Sequence, residues 1–174
     1  MILDILRKVC AVFVLATFAA NPSWANSTLV PTELAEIDHG DTVLTLVSPD
    51  GTVTRMDLDQ IEDLETYQLQ TTTPWRDVPA TFQGVRLKDL LAEAGLGEVA
   101  EILVTAENDY TSVIPRAVWE TEPFLVATRV NGAPISRRAR GPILFVIEAT
   151  AYEASDIARE AHLVWMAARI EPNG

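Results

Sequence analysis

Residues 70–75 read QTTTPW, and the rest of the chain is best interpreted outward from this segment. A strand-like run precedes it, and residues 82–91 (FQGVRLKDLL) follow it as a turn leading into a helix. Because Pro74 disfavours the helical region for Thr73, the hydroxyls of the segment are expected on extended backbone. The indole of Trp75 adds an aromatic face with an N–H donor. The segment therefore indicates either a polar site for a flat ligand or an ordinary strand exit with Trp75 in the core.

The flanking sequence alternates short strand patterns with turn signals. Two β-rich runs around the SPDG sequence at residues 48–51 predict a hairpin. Asp59 is predicted to cap a short helix, and apolar residues at helical spacing predict a second helix over residues 85–94, ended by Gly95. Further strands are predicted over residues 66–71, 101–106, 110–114, 124–130, 143–147 and 164–170. The pattern predicts the α+β class, with a strand-dominated mixed sheet or barrel-like domain and short helices.

The N-terminal residues have the features of a signal peptide. A basic pair precedes an apolar run at residues 9–20, which is shorter than a membrane-spanning helix. The SWA sequence ending at Ala25 places small residues at the two positions that a signal peptidase recognises. We therefore expect a cleaved signal peptide at residues 1–25, a single domain at residues 26–174 and a periplasmic location. An uncleaved N-terminal anchor is the alternative.

Cysteine, histidine and net charge limit the possible chemistry. Cys10 is the single cysteine and would be removed with the signal peptide. The mature chain would then have no disulfide, thiolate nucleophile or thiolate–metal bond. His39 and His162 are isolated in the sequence, so we expect a solvated His39, a structural or surface His162 and no metal site. The net charge of −12 argues against nucleic acid and anionic membranes as partners.

Three loops at predicted strand ends carry the best candidates for ligand binding: residues 71–75, 108–110 and 137–142. Together they offer an aromatic face, hydroxyls, a carboxylate and guanidinium groups. This set suits a flat heterocycle with donors on one edge and a polar tail. Plain turn chemistry would also explain the second loop, and a solvated loop would explain the third. A local basic cluster is nevertheless unexpected in so acidic a chain and suggests an anion or an acidic partner surface.

A series of short motifs occurs in a recognisable order along residues 43–171. They are TPW at residues 73–75, FxGVxLxDLLxxxG from Phe82, NDY from Asn108, NGxPI from Asn131 and RxRGP from Arg138. This order resembles the oxidoreductase molybdopterin-binding domain, which has the sulfite oxidase fold. Molybdenum enzymes of this family place a cysteine ligand four residues before the tryptophan, where this chain has Thr71. A threonine hydroxyl does not replace a soft thiolate, so no molybdenum is expected.

Small secreted members with the sequence TxTPW fit better, and the chain resembles the periplasmic pterin-binding proteins of the PruR type. This resemblance implies a free, reduced pterin as a non-covalent ligand. It also implies that pterin occupancy is reported to the periplasmic domain of a membrane-bound cyclic-di-GMP cyclase or phosphodiesterase, or to another sensor. The candidate pterin-binding residues are Thr71, Thr73, Trp75, Asp109, Tyr110, Arg138 and Arg140, with Arg129 as a weaker candidate.

The resemblance also suggests how a pterin would be held. Its 2-amino and N3–H groups are parallel donors that one carboxylate accepts together. Asp109 is the candidate acceptor, unless it only caps a turn, and Trp75 or Tyr110 would stack on the ring. The threonine hydroxyls would bond ring nitrogens or the carbonyl, and the arginines would reach the C4 carbonyl or the tail. We expect a sensor without catalytic residues; the alternatives are a molybdopterin-dependent oxidoreductase and a ligand-free interaction module.

Overall fold

The computed structural model describes residues 29–174, so the expected signal peptide at residues 1–25 lies outside the described residues. The strands in chain order are β1 (Val30–Pro31), β2 (Val43–Val47), β3 (Val53–Asp57), β4 (Thr66–Thr73), β5 (Arg76–Arg86), β6 (Glu101–Ala106), β7 (Thr111–Pro115), β8 (Phe124–Val130), β9 (Ala133–Pro134), β10 (Leu144–Ile147) and β11 (Ala167–Pro172). The α-helices are α1 (Leu58–Glu62), α2 (Leu87–Glu93), α3 (Arg116–Thr121) and α4 (Ala149–Ala154).

Within residues 29–174 the strands form two open sheets. The first sheet has the order β1-β4-β5-β8-β10, with β9 paired to β8, and the second has the order β3-β2-β11-β6-β7. Pairing is antiparallel except between β11 and β2, which run parallel. The α+β, strand-dominated prediction is confirmed, but in the described part of the chain the strands close no barrel.

Strand β8 lies at the centre of the hydrophobic core and is buried on both faces. Phe124 and Val126 belong to the larger core cluster, which also contains the inner face of the second sheet and the helices. Leu125 and Ala127 belong to a smaller cluster on the opposite face of the first sheet. Because alternate side chains of a strand point to opposite faces, this one apolar run joins the two clusters.

Residues 70–75 form the end of a strand and a tight turn, whereas the sequence suggested a strand end followed by a loop at residues 71–75. β4 continues to Thr73, and Thr73 pairs with Arg76 at the start of β5. The tertiary structure therefore makes a long β-hairpin in which Pro74 and Trp75 form the connection. The predicted helix over residues 85–94 was also too long at its start, because Val85 belongs to β5 and α2 begins at Leu87.

The cap of the first helix also differs from the prediction. Asp57, not Asp59, is the N-cap: its side chain accepts a hydrogen bond from the Gln60 N–H at 2.8 Å. The Gln60 side chain in turn accepts one from the Asp57 N–H at 3.0 Å. This reciprocal capping box satisfies two backbone donors at the start of α1.

A buried polar cluster fixes the residues between β1 and β2 against the domain. The His39 side chain is 1% exposed, with Nε2 2.9 Å from a carboxylate oxygen of Glu62, so the expectation of a solvated His39 is wrong. Glu62 also accepts hydrogen bonds from Arg129 and Thr128. Arg129 donates a further bond to the carbonyl of Ala35 at 2.7 Å. Arg129 therefore has a structural role, which removes it from the ligand candidates.

No helix among residues 29–174 is long and apolar enough to span a membrane.

Candidate ligand-binding cleft

The guanidinium of Arg140 lies between two indole rings. Its Cζ atom is 4.9 Å from the ring centroid of Trp75 and 4.8 Å from that of Trp165. Each contact is a cation–π interaction worth about 0.5–2 kcal/mol. Within residues 29–174 the Arg140 side chain makes no hydrogen bond or ion pair, so its N–H groups are available for a ligand.

The backbone around Arg140 explains how this arrangement forms. A 3₁₀ turn at Arg137–Ala139 precedes Arg140, which has a φ of 70°. The Arg140 carbonyl then accepts a hydrogen bond from the N–H of Met166 at 3.1 Å. Trp165 pairs with Leu144 in an isolated bridge. The basic loop and the segment before β11 are thereby held together, which brings the arginine and Trp165 to one site.

The two indoles and Arg140 form part of the wall of an open cleft of about 430 Å³. The other lining residues are Pro74, Asn108, Tyr110, Glu160, Ala161 and Leu163. A cleft of this size lies within the range of about 300–1,000 Å³ that is usual for small-molecule sites. Its walls combine aromatic surface with one guanidinium, one carboxylate and one amide.

Tyr110, the residue before β7, and a 3₁₀ turn at Glu160–His162 meet at one side of the cleft. The hydroxyl of Tyr110 donates a weak hydrogen bond to the carbonyl of Ala161 at 3.4 Å. His162 is buried, and its Nδ1 accepts a hydrogen bond from the Arg159 N–H at 3.1 Å. Burial, and then the charge of Arg159, lower the pKa of His162 from its usual value, which favours the neutral ring that can accept this bond. His162 therefore fixes the turn that carries Glu160, a structural role as the sequence suggested.

Two smaller hollows adjoin the cleft. One of about 290 Å³ shares Trp75 and Arg140 with it and includes Arg138. The other, of about 140 Å³, lies beyond Pro74 and includes Thr73. Arg138 thus lies beside the cleft rather than in its wall.

The two candidate threonines are both buried, but their hydroxyls differ in hydrogen bonding. Thr71 is 4% exposed, and its hydroxyl accepts a hydrogen bond from the N–H of Ala149 at 2.8 Å and donates one to the carbonyl of Thr72 at 3.1 Å. The hydroxyl of Thr73 is buried and has no hydrogen-bond partner among residues 29–174. An unpartnered buried hydroxyl costs free energy unless another group, such as water or a ligand, satisfies it.

Asp109 lies on the exposed turn between β6 and β7, where its φ is 63° and its N–H donates to the carbonyl of Ala106 at 3.1 Å. Its side chain does not line the cleft, although its neighbours Asn108 and Tyr110 do. The turn is anchored by an ion pair between Arg137 and Glu107, with a separation of 2.9 Å. Asp109 therefore occupies a left-handed turn position, whereas the side chain that caps the turn is that of Asn108, which accepts a hydrogen bond from the Tyr110 N–H at 3.3 Å.

The structure brings together Trp75, Tyr110 and Arg140, and adds Trp165 and Glu160, which the sequence did not predict as site residues. The one available signal for Trp165 was its residue type, and the chain has four tryptophans. Glu160 carries no local signal, because it is one of many acidic residues in a weakly patterned segment. Residues 29–174 contain no group of three or more histidine, cysteine, aspartate or glutamate side chains placed to hold a metal ion.

Comparison with solved structures confirms the predicted fold. The crystal structure of the sulfane dehydrogenase SoxCD from Paracoccus pantotrophus superposes with a TM-score of 0.58 and 13% sequence identity. The match covers 79% of this chain and 39% of that one, so this chain spans well under half of the solved protein. At this identity the similarity shows the sulfite oxidase type of fold alone. No curated protein gives a significant sequence match.

The motifs that suggested the fold family lie largely within the part of the chain that a family model matches. The model for the oxidoreductase molybdopterin binding domain matches residues 50–155, which include the β4–β5 hairpin, β8 and the basic loop. With the sheet order and the structural similarity, this match shows that the chain belongs to the oxidoreductase molybdopterin binding domain family.

Proposed function

We propose that this protein is a periplasmic binding protein for a reduced pterin. The pterin is bound non-covalently, and Thr71 coordinates no molybdenum. The observation that carries the proposal is the state of Thr71, at the position where the family's metal enzymes have cysteine. Its hydroxyl is buried and already bonded to the backbone of Ala149 and Thr72. A hard hydroxyl so engaged does not fit a metal that requires a soft thiolate donor.

The cleft suits the pterin part of the family's cofactor better than it suits the metal. A pterin is flat and aromatic, with donors along one edge and a carbonyl beside them. The indoles of Trp75 and Trp165 and the ring of Tyr110 offer aromatic surface, and Arg140 offers N–H donors to a carbonyl or a tail. The buried hydroxyl of Thr73 is a further donor close to the cleft.

The periplasmic location and the signalling role have a different basis. They rest on the signal-peptide features of residues 1–25 and on the resemblance to the PruR type. In this proposal the pterin-loaded protein contacts the periplasmic domain of a membrane-bound cyclic-di-GMP cyclase or phosphodiesterase. Binding of the pterin would alter that contact, so the activity of the enzyme would depend on the amount of pterin in the periplasm.

The experiment that tests the ligand is analysis of protein exported to the periplasm and purified without oxygen. Small molecules released by denaturation are identified by mass spectrometry, molybdenum is measured on the same sample, and the Trp75→Ala variant is purified in parallel. A pterin without molybdenum, reduced in amount in the variant, supports the proposal. Stoichiometric molybdenum with molybdopterin would instead favour an oxidoreductase. No pterin and no binding of an added tetrahydropterin would reject the proposal and favour a ligand-free interaction module.

A second experiment tests the relay. A membrane cyclase or phosphodiesterase encoded beside this protein is the partner to try first. Binding of its periplasmic domain is measured with pterin-loaded protein and with pterin-free protein. A difference between the two supports the relay, whereas equal binding would show a partner that does not detect the ligand.

A further inference from the structure

Glu160, an exposed residue, lines the cleft together with Arg140 and brings a side chain of opposite charge to it. We propose that Glu160 is the residue that recognises a 2-amino-4-oxo heterocycle, by accepting hydrogen bonds from the ring's 2-amino group and N3–H together. The inference rests on the proposed function and names the residue that determines specificity at that site. It moves the carboxylate's role from Asp109, which does not line the cleft, to a different segment of the chain.

A comparison of the nearby carboxylates leads to Glu160. Glu107 is engaged in an ion pair with Arg137. Asp109 does not line the cleft. Glu153 lines the hollow beyond Pro74, whose volume of about 140 Å³ is below that of ordinary ligand sites. Glu160 lies in the cleft of about 430 Å³.

The backbone that carries Glu160 is held in place while its carboxylate is unengaged. The carbonyl of Glu160 accepts a hydrogen bond from the N–H of Leu163 at 3.0 Å, and His162 caps the same 3₁₀ turn. Tyr110 contacts the next residue, Ala161, on the same side of the cleft. Within residues 29–174 the Glu160 side chain has no ion pair or hydrogen bond, so both of its oxygens can accept from a ligand.

The remaining polar groups of the cleft complement such an orientation. In a pterin the C4 carbonyl is next to N3, so a donor is needed beside the carboxylate. The side-chain oxygen of Asn108 accepts from the Tyr110 N–H at 3.3 Å, which leaves the amide N–H₂ of Asn108 free to donate. Arg140 provides further donors in the same wall. A lumazine, which has an oxygen in place of the 2-amino group, would instead set its oxygen against the carboxylate and be rejected.

The test compares 6,7-dimethyltetrahydropterin with the matching tetrahydrolumazine, titrated anaerobically into the mature protein. Wild type, Glu160→Gln and Asp109→Asn are compared, with thermal unfolding as the check that each variant is folded. We expect wild type to prefer the pterin. Glu160→Gln should bind the pterin roughly 10-fold or more weakly, since a charged acceptor is lost. It should also lose most of the preference over the lumazine, while Asp109→Asn should keep wild-type values.

The outcomes separate this inference from the proposed function. If wild type binds the pterin and Glu160→Gln binds it equally well with the same preference, the inference is wrong and the pterin-binding function stands. If Asp109→Asn alone loses affinity, the sequence-based assignment is right and the inference is again wrong. If wild type binds no tetrahydropterin, the proposed function fails and the inference with it.

Discussion

The hydroxyl of Thr71 accepts a hydrogen bond from the backbone N–H of Ala149 at 2.8 Å, and so connects strand β4 to the first residue of helix α4. The two residues are 78 positions apart in sequence. The side chain at the family's metal-ligand position therefore holds two elements together in this chain. Its contribution is to stability, and that contribution is measurable.

Thr71→Val removes the acceptor while keeping the shape of the side chain. The part-buried N–H of Ala149 then loses its partner, which costs about 0.5–1.5 kcal/mol of unfolding free energy, the usual net contribution of one hydrogen bond. Thr71→Ser keeps the hydroxyl and is the matched control, with a smaller loss due to the missing methyl group. Urea unfolding monitored by tryptophan fluorescence measures both. Equal losses in the two variants would show that the methyl contact, not the hydrogen bond, is what Thr71 supplies.

Trp75→Ala removes one wall of the cleft and one of the two rings that hold Arg140. We expect tetrahydropterin binding to weaken by about 1–3 kcal/mol, the usual effect of removing an aromatic side chain that stacks on a heterocycle. Trp75→Phe should recover part of the loss. Val78→Ala, which changes an exposed side chain on β5 that lines none of the three hollows described, is the control. Isothermal titration checks the affinities, and wild-type affinity in Trp75→Ala would place the ligand elsewhere.

Glu62 makes the stability of the domain depend on pH in the acidic range. Burial by itself would raise the pKa of Glu62, but hydrogen bonds from Arg129, Thr128 and His39 outweigh it and lower the pKa below 4.5. Because the pKa is lower in the folded than in the unfolded protein, the stabilisation is fully present above pH 4.5 and is lost as pH falls through the folded-state pKa.

The matched variant is Glu62→Gln, which does not titrate at this position. Its unfolding free energy should be lower than that of wild type near neutral pH, and the difference should narrow below pH 4.5. Denaturant unfolding at a series of pH values measures this difference. A difference that stays constant as pH falls would show that Glu62 ionisation does not contribute to stability.

Gly84 is required by the close approach of β5 and β8. A Cβ atom at this position would lie 2.1 Å from the carbonyl oxygen of Val126, a backbone atom that cannot move aside. We expect Gly84→Ala to lower the unfolding free energy by about 3 kcal/mol or more. At Gly97 the nearest atom to an added Cβ is the Ala92 Cα at 3.5 Å, so Gly97→Ala should change stability by less than about 1 kcal/mol. Similar effects of the two substitutions in thermal unfolding would contradict the role assigned to Gly84.

The strength of local signals explains which elements were predicted. Strands at residues 101–106 and 124–130 match the structure because alternating or continuous β-rich runs end at clear turn residues. Strand β5 was missed because residues 76–81 combine charged, proline and small side chains, and their strand conformation comes from pairing with β4. The burial of His39 was also missed, because its partner Glu62 is 23 residues away.

The sequence by itself determined the α+β class, most strand positions and the motif order that identifies the family. Hydrophobic periodicity and turn residues act over a few residues, so both can be recognised in the sequence without knowledge of the fold. Only the tertiary structure decided which loops meet. It brought Trp75, Arg140 and Trp165 into one cleft. Glu160, and not the predicted Asp109, lines this cleft. The hydroxyl of Thr71 is hydrogen-bonded to α4. Such contacts join distant segments through sheet order and register, and no local pattern encodes either.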